Sequence, residues 1–199
     1  MARPRIHDDA MAGRLLDHAA QTLSTEGARA LSLRALAREA GTSTAAVYSL
    51  FGGKSGLLAA LYKKAFARLG DAQVAVGESE DPLEDIVRLG LAYRSVAVSD
   101  PHGYRVMFGD ELVPSDLDAA AARMGARTFD PLLAAVRRAV SSGSFPTSPA
   151  PESIATALWA NVHGLVSLEL GRFMPPQAGE PGMVFEASIR AMVRGWAKA

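Results

Sequence analysis

The strongest constraint on this chain is the period of its apolar residues. Leu15, Leu16, Ala19, Ala20 and Leu23 recur at spacings of three and four, which gathers them on one face of an α-helix. The same period returns in segment after segment, and β-branched residues nowhere alternate with polar ones in the two-residue rhythm of a strand. The expected fold is therefore all-α, with about nine helices near 8–25, 33–40, 43–50, 54–76, 82–98, 101–108, 115–140, 152–170 and 181–197.

Glycine, serine and proline divide these segments. Gly27 stops the first helix; Ser32 stands where an N-cap is wanted, and Gly41 where a left-handed C-terminal residue is wanted. Gly52-Gly53 separates a short third helix from a long fourth one carrying Leu57, Leu58, Leu61, Ala65 and Leu69. Pro82 opens a helix at its first turn, Pro101 restarts the chain, and Pro131 is expected to bend the segment from Ser115 to Val140, since proline donates no backbone hydrogen bond. Residues 141–151, with three prolines, read as a loop.

Of the 199 residues, 49% are hydrophobic and 21% charged, a balance that builds a sizeable core and excludes a disordered or collagen-like chain. No apolar run reaches the ~18 to 20 residues of a membrane span, and Met1-Ala2-Arg3-Pro4 begins no secretory segment, so a cytoplasmic protein is expected. Cysteine is absent, which removes disulfides, thiolate metal sites and thiol nucleophiles. The net charge of +0 hides an asymmetry: residues 1–69 hold ten Lys/Arg against five Asp/Glu, and residues 70–199 hold eleven against sixteen. A basic first third joined to an acidic remainder suggests two parts with different partners.

The stretch Leu31 to Leu58 carries the clearest functional signal. Two short helical segments meet at Gly41, and Ala37 and Ala40 on the first are small enough to let the second cross closely and steeply. The second segment, Thr42 to Ser49, bears hydroxyls and methyls that suit base edges in a DNA major groove. Tyr48 and Lys54 are placed to reach flanking phosphates, whereas the spacing of Val47, Phe51, Leu57 and Leu58 marks core positions.

Ser32-Leu33-Arg34-Ala35-Leu36-Ala37, Ala40-Gly41-Thr42-Ser43, Val47-Tyr48, Phe51, Lys54 and Leu57-Leu58 together resemble the TetR family of transcriptional regulators. The resemblance implies a three-helix DNA-binding domain over residues 9–69, with Ser32, Arg34, Thr42, Ser43, Thr44, Ala45, Tyr48, Ser49 and Lys54 at the DNA. Family members often carry Lys, His or Asn where this chain has Gly52-Gly53, and Tyr or His where it has Ser49-Leu50. Arg3 and Arg5 precede the first helix as a candidate minor-groove arm.

Residues 80–199 form the second expected domain, regulatory and dimerising. No nucleophile elbow, Gly-rich phosphate loop or metal-ligand spacing is readable there, so neither an enzyme nor a cofactor is expected. Pro101-x-x-Tyr104-Arg105-x-Met107-Phe108 and Trp159-Ala160-x-Val162-His163-Gly164-Leu165 resemble a TetR subgroup named for its Trp-His-Gly residues. The helix near 152–170 is apolar on two faces, through Ile154, Leu158, Val162 and Leu165 and through Ala155, Trp159, Val166 and Leu170. One face suits its own core; the other, with the helix near 181–197, suits a second copy in a four-helix C2 interface. Tyr93, Tyr104, Met107, Phe108, Met124, Phe129, Trp159 and His163 are candidate lining for an apolar effector pocket, although each taken singly reads first as core. Glu169 reads as a residue of the helix's exposed edge, with a pocket acid as the alternative.

The expected function is a ligand-responsive regulator, a repressor that binds a pseudo-palindromic operator as a homodimer and is released by a small hydrophobic effector, with helix 54–76 as the lever. The alternative is a helical adaptor or small-molecule-binding protein that keeps the helix-turn-helix shape without specific DNA binding.

Overall fold

The computed structural model describes residues 5–27, 29–109 and 119–197. Among them are ten α-helices and no strand: α1 (Arg5–Glu26), α2 (Leu33–Glu39), α3 (Thr44–Phe51), α4 (Lys54–Val76), α5 (Pro82–Ser99), α6 (Pro101–Phe108), α7 (Ala119–Arg127), α8 (Asp130–Ser141), α9 (Pro151–Leu170) and α10 (Pro181–Trp196). The protein is all-α, with an N-terminal helix-turn-helix followed by further helices. The tenth helix arises at Pro131, where the single bent helix expected over 115–140 parts into α7 and α8. Proline, standing in the first turn of α8, has no N–H to continue α7. The expected beginning of that helix, at Ser115, lies outside the described residues, as does Arg3; Arg5 is the first residue of α1.

The chain forms two compact units. The first joins Met1–Ala67 to Asp100–Gly125, and the second joins Arg68–Ser99 to Ala126–Ala199. Helix α4 thus supplies residues to both, and the chain returns to the first unit after building α5. This return revises the charge argument. Residues 100–125 carry five Asp/Glu against two Arg, so the basic excess belongs to the segment 1–69 and not to the whole first unit.

In the first unit Leu15, Ala19 and Leu23 of α1, Leu36 and Ala37 of α2, Val47 of α3, and Leu57 and Leu61 of α4 are all buried. In the second, α5 is held between α8, α9 and α10 through Ile86, Val87, Leu89, Val136, Ile154, Leu158, Phe185 and Ile189. Gly90 sits where α5 meets α9 and α10, and a Cβ there would collide with Ile189 Cδ1 and press on Val162.

A buried carboxylate pins the start of α5. Asp85 is only 2% exposed; it accepts from the Ser79 N–H at 2.9 Å, the Ser79 hydroxyl at 2.7 Å and Arg138 Nη2 at 2.7 Å. Burial works to raise this carboxyl, but the Ser79 and Arg138 donors outweigh it and hold Asp85 below the usual carboxylate range. Phe145, in the proline-rich loop after α8, is fully enclosed, and its N–H donates to the Ala139 carbonyl at 2.9 Å.

Candidate nucleic-acid interface

The turn between α2 and α3 is built by backbone hydrogen bonds. At the end of α2 the Thr42 N–H donates to the Ala37 carbonyl at 2.8 Å and the Gly41 N–H to the Arg38 carbonyl at 3.2 Å, the paired bonds of a Schellman stop. Gly41 sits at φ +67°, the left-handed conformation that this stop requires and that glycine adopts without steric cost. Ser43 then starts α3: its Oγ accepts from the Ala46 N–H at 3.2 Å. Ser32 does the same for α2, accepting from the Ala35 N–H at 3.4 Å.

Helix α3 is oriented by one residue. Val47 is fully buried, so the opposite face, Ala45, Tyr48 and Ser49, points outward, and Tyr48 is 56% exposed. Ser32, Arg34, Ser43 and Lys54 are exposed as well, and Thr42 and Thr44 are half-buried. All nine sequence-derived contact residues therefore occupy surface or near-surface positions of one unit.

Gly53, one of the glycine pair at which this chain differs from the family pattern, has a structural part here. Gly53 is buried at φ +125°, and a Cβ on it would lie 3.3 Å from Tyr48 Cε1. The Tyr48 ring rests over this glycine, which supports the phenol from beneath. The signal was the paired glycine itself, with no indication in sequence of what it faced.

The electrostatics favour an anion at the same helices. None of α2, α3 and α4 has an acidic residue in its first turn, so no carboxylate there opposes a phosphate at their N-terminal ends. Helices α5, α8 and α9 carry Glu84 and Asp85, Asp130 and Glu152 there, while α6, α7 and α10 share the absence.

Against known proteins, residues 15–61 match the model described as bacterial regulatory proteins of the tetR family, and residues 86–192 match that of the tetracyclin repressor-like C-terminal domain. The chain belongs to the TetR family. The HTH-type transcriptional regulator Rv1816 of Mycobacterium tuberculosis is 28% identical over 211 residues, which cover 90% of this chain and 86% of that protein. A protein of unknown function from a Rhodococcus species is 28% identical with a TM-score of 0.79, covering 94% of this chain and 96% of its own. The TetR family transcriptional regulator PfmR from Thermus thermophilus has the same fold, at a TM-score of 0.74 and 24% identity, over 91% of this chain and 97% of its own. As a TetR protein the chain is a DNA-binding transcriptional regulator, and the helix-turn-helix just described is the part its family model covers.

The eight candidate pocket residues of this TetR protein divide between the two units. Tyr104, Met107, Phe108 and Met124 belong to the first, where Phe108 lies 5.2 Å from Tyr104 and 5.7 Å from Phe66, ring centre to ring centre. Tyr93, Phe129, Trp159 and His163 belong to the second and do come together. The Tyr93 hydroxyl and His163 Nδ1 are 3.0 Å apart, and the Trp159 ring is 6.0 Å from both Phe129 and His163. Burial lowers the pKa of His163 and favours its neutral form. Glu169 is not at an exposed edge: its side chain is 14% exposed and accepts from Arg94 at 2.8 and 2.6 Å, while Arg94 stacks 5.8 Å from the Phe185 ring centre. Arg94 lies 75 residues away, so helical spacing held no sign of the pair. No described helix is long and apolar enough to cross a membrane.

Proposed function

We propose that this protein is a repressor that binds a pseudo-palindromic operator as a homodimer, in the cytoplasm, and leaves it when a small hydrophobic effector binds. The observation that carries the reading is the α3 surface: a Ser43-capped helix whose Val47 is buried and whose Ala45, Tyr48 and Ser49 face outward. Ser43, Thr44 and Ala45 then lie at the groove-facing start of α3, Arg34 reaches a base or a phosphate, and Tyr48 and Lys54 hold flanking phosphates, with Ser32, Thr42 and Ser49 beside them at the DNA. Dimerisation through α9 and α10 is supported by a set of exposed small or apolar residues on each: Ala160, Ser167 and Leu168 on one, Met183, Ala187 and Ala191 on the other. Two copies are needed because one short recognition helix buries too little DNA for specific binding.

The effector site belongs to the second unit, at Tyr93, Phe129, Trp159 and His163, the last two within the Trp-His-Gly resemblance. Its aromatic walls and neutral imidazole suit an uncharged, largely apolar molecule. The effector acts only by preferring a conformation with wrongly spaced recognition helices, and α4, shared by both units, is the lever. The test is selection of genomic fragments by the purified protein, followed by gel shifts on the selected sites. A shared inverted repeat is expected; binding that shows no sequence preference would identify an adaptor instead.

A further inference from the structure

Helices α1, α4 and α6 of the first unit line a half-open cleft of about 310 Å³ that none of the roles above uses. Its floor is apolar, made by the buried Leu61, Ala65 and Val106. Its rim is rich in nitrogen: Arg14 and His18 from α1, Lys64 from α4 and His102 from α6. Two carboxylates also reach the rim, and both are engaged. Asp17 Oδ1 accepts from Lys64 Nζ at 2.7 Å, and Asp100 Oδ1 accepts from the Gly103 N–H at 2.9 Å as the cap of α6. Ser24 Oγ hydrogen-bonds His102 Nδ1, which fixes that ring against α1. Arg14 makes no ion pair among the described residues; its guanidinium contacts Met11 Sδ at 3.6 Å.

We propose that this cleft is a binding site for a small organic carboxylate. Apolar surface at the base calls for an organic body, and the nitrogen-rich rim calls for an anion. The rim's two cations and two carboxylates cancel in sum, so pairing within the rim, and not net charge, points to a single carboxylate. Lys64 is taken by Asp17 and Asp100 caps α6, which leaves the Arg14 guanidinium, among the described residues, as the rim cation with no ion pair. A guanidinium pairs with a carboxylate through two parallel hydrogen bonds, and imidazole N–H groups beside it can complete the oxygen shell. The volume lies at the small end of ligand sites, the size of a single-ring acid. This site is separate from the proposed effector cluster of the second unit and does not depend on it.

Calorimetric titration of the full chain with benzoate, and with benzyl alcohol as the uncharged counterpart, tests the proposal. Benzoate is expected to bind once per chain, at least about tenfold more tightly than the alcohol, and Arg14→Ala is expected to weaken benzoate about tenfold or more. Arg14 is exposed, so the variant is expected to unfold at the wild-type temperature. Methyl resonances of Leu61 and Val106 provide a second readout and are expected to shift on benzoate addition. Equal affinities for the two probes, undiminished benzoate binding in Arg14→Ala, unmoved methyl signals, or no benzoate binding would each overturn it.

Discussion

Ser43 shows how much of the interface depends on single atoms. Its Oγ closes the first turn of α3, so Ser43→Ala is expected to lower stability by about 1 kcal/mol, read by urea denaturation. Tyr48 and Lys54 bear on affinity instead. Replacing either with Ala is expected to weaken DNA of every sequence and flatten the salt dependence, whereas Thr44→Val is expected to shift sequence preference in a binding selection. Gly53→Ala should reproduce part of the Tyr48→Ala loss, since the new methyl presses on the ring and the backbone is held at φ +125°. His163 makes stability depend on pH. Its folded pKa lies below its ordinary value, so the unfolded chain binds the proton more readily. Stability is then full above the ordinary histidine range and falls as pH drops through it towards the folded value. A pH series of melting temperatures should show this slope in the wild type and a shallower one in His163→Asn.

At the scale of the element, the helix-turn-helix was legible because everything that makes it is local. Ser32, Gly41, Ser43 and Gly52 act on neighbours a few residues away, and α4 runs over Lys54–Val76 as its apolar period predicts. What the sequence hid are features that depend on distant partners. The Asp85–Arg138 contact spans 53 residues and the Tyr93–His163 contact 70, and no periodicity encodes either. Half of the candidate pocket residues were separated from the rest for the same reason: the return of α6 and the first part of α7 to the first unit leaves no local trace. Phe145 was hidden differently. It lies among prolines, in a stretch that reads as loop, yet it is among the largest fully buried side chains. Phe145→Ala is expected to cost about 3–5 kcal/mol, more than an exposed loop position would, and the loss should appear in the urea midpoint.

At the scale of the whole molecule, the proposed α9–α10 interface makes a sharp prediction. Ala160→Glu places a carboxylate among small and apolar outward residues, so the variant is expected to sediment as a monomer and to lose specific operator binding, while the wild type sediments as a dimer. The interleaving of the two units has a consequence for biosynthesis. The segment Met1–Ala67 leaves the ribosome first but lacks the rest of its unit until Gly125 has been made, roughly 60 residues later. At ordinary elongation speeds that is a wait of roughly 3 to 12 seconds, and α5 of the other unit emerges in the middle of it. The first unit is therefore finished only after α5 of the second has been made, so a nascent chain of this protein must carry an unpartnered piece of one unit while it completes the other.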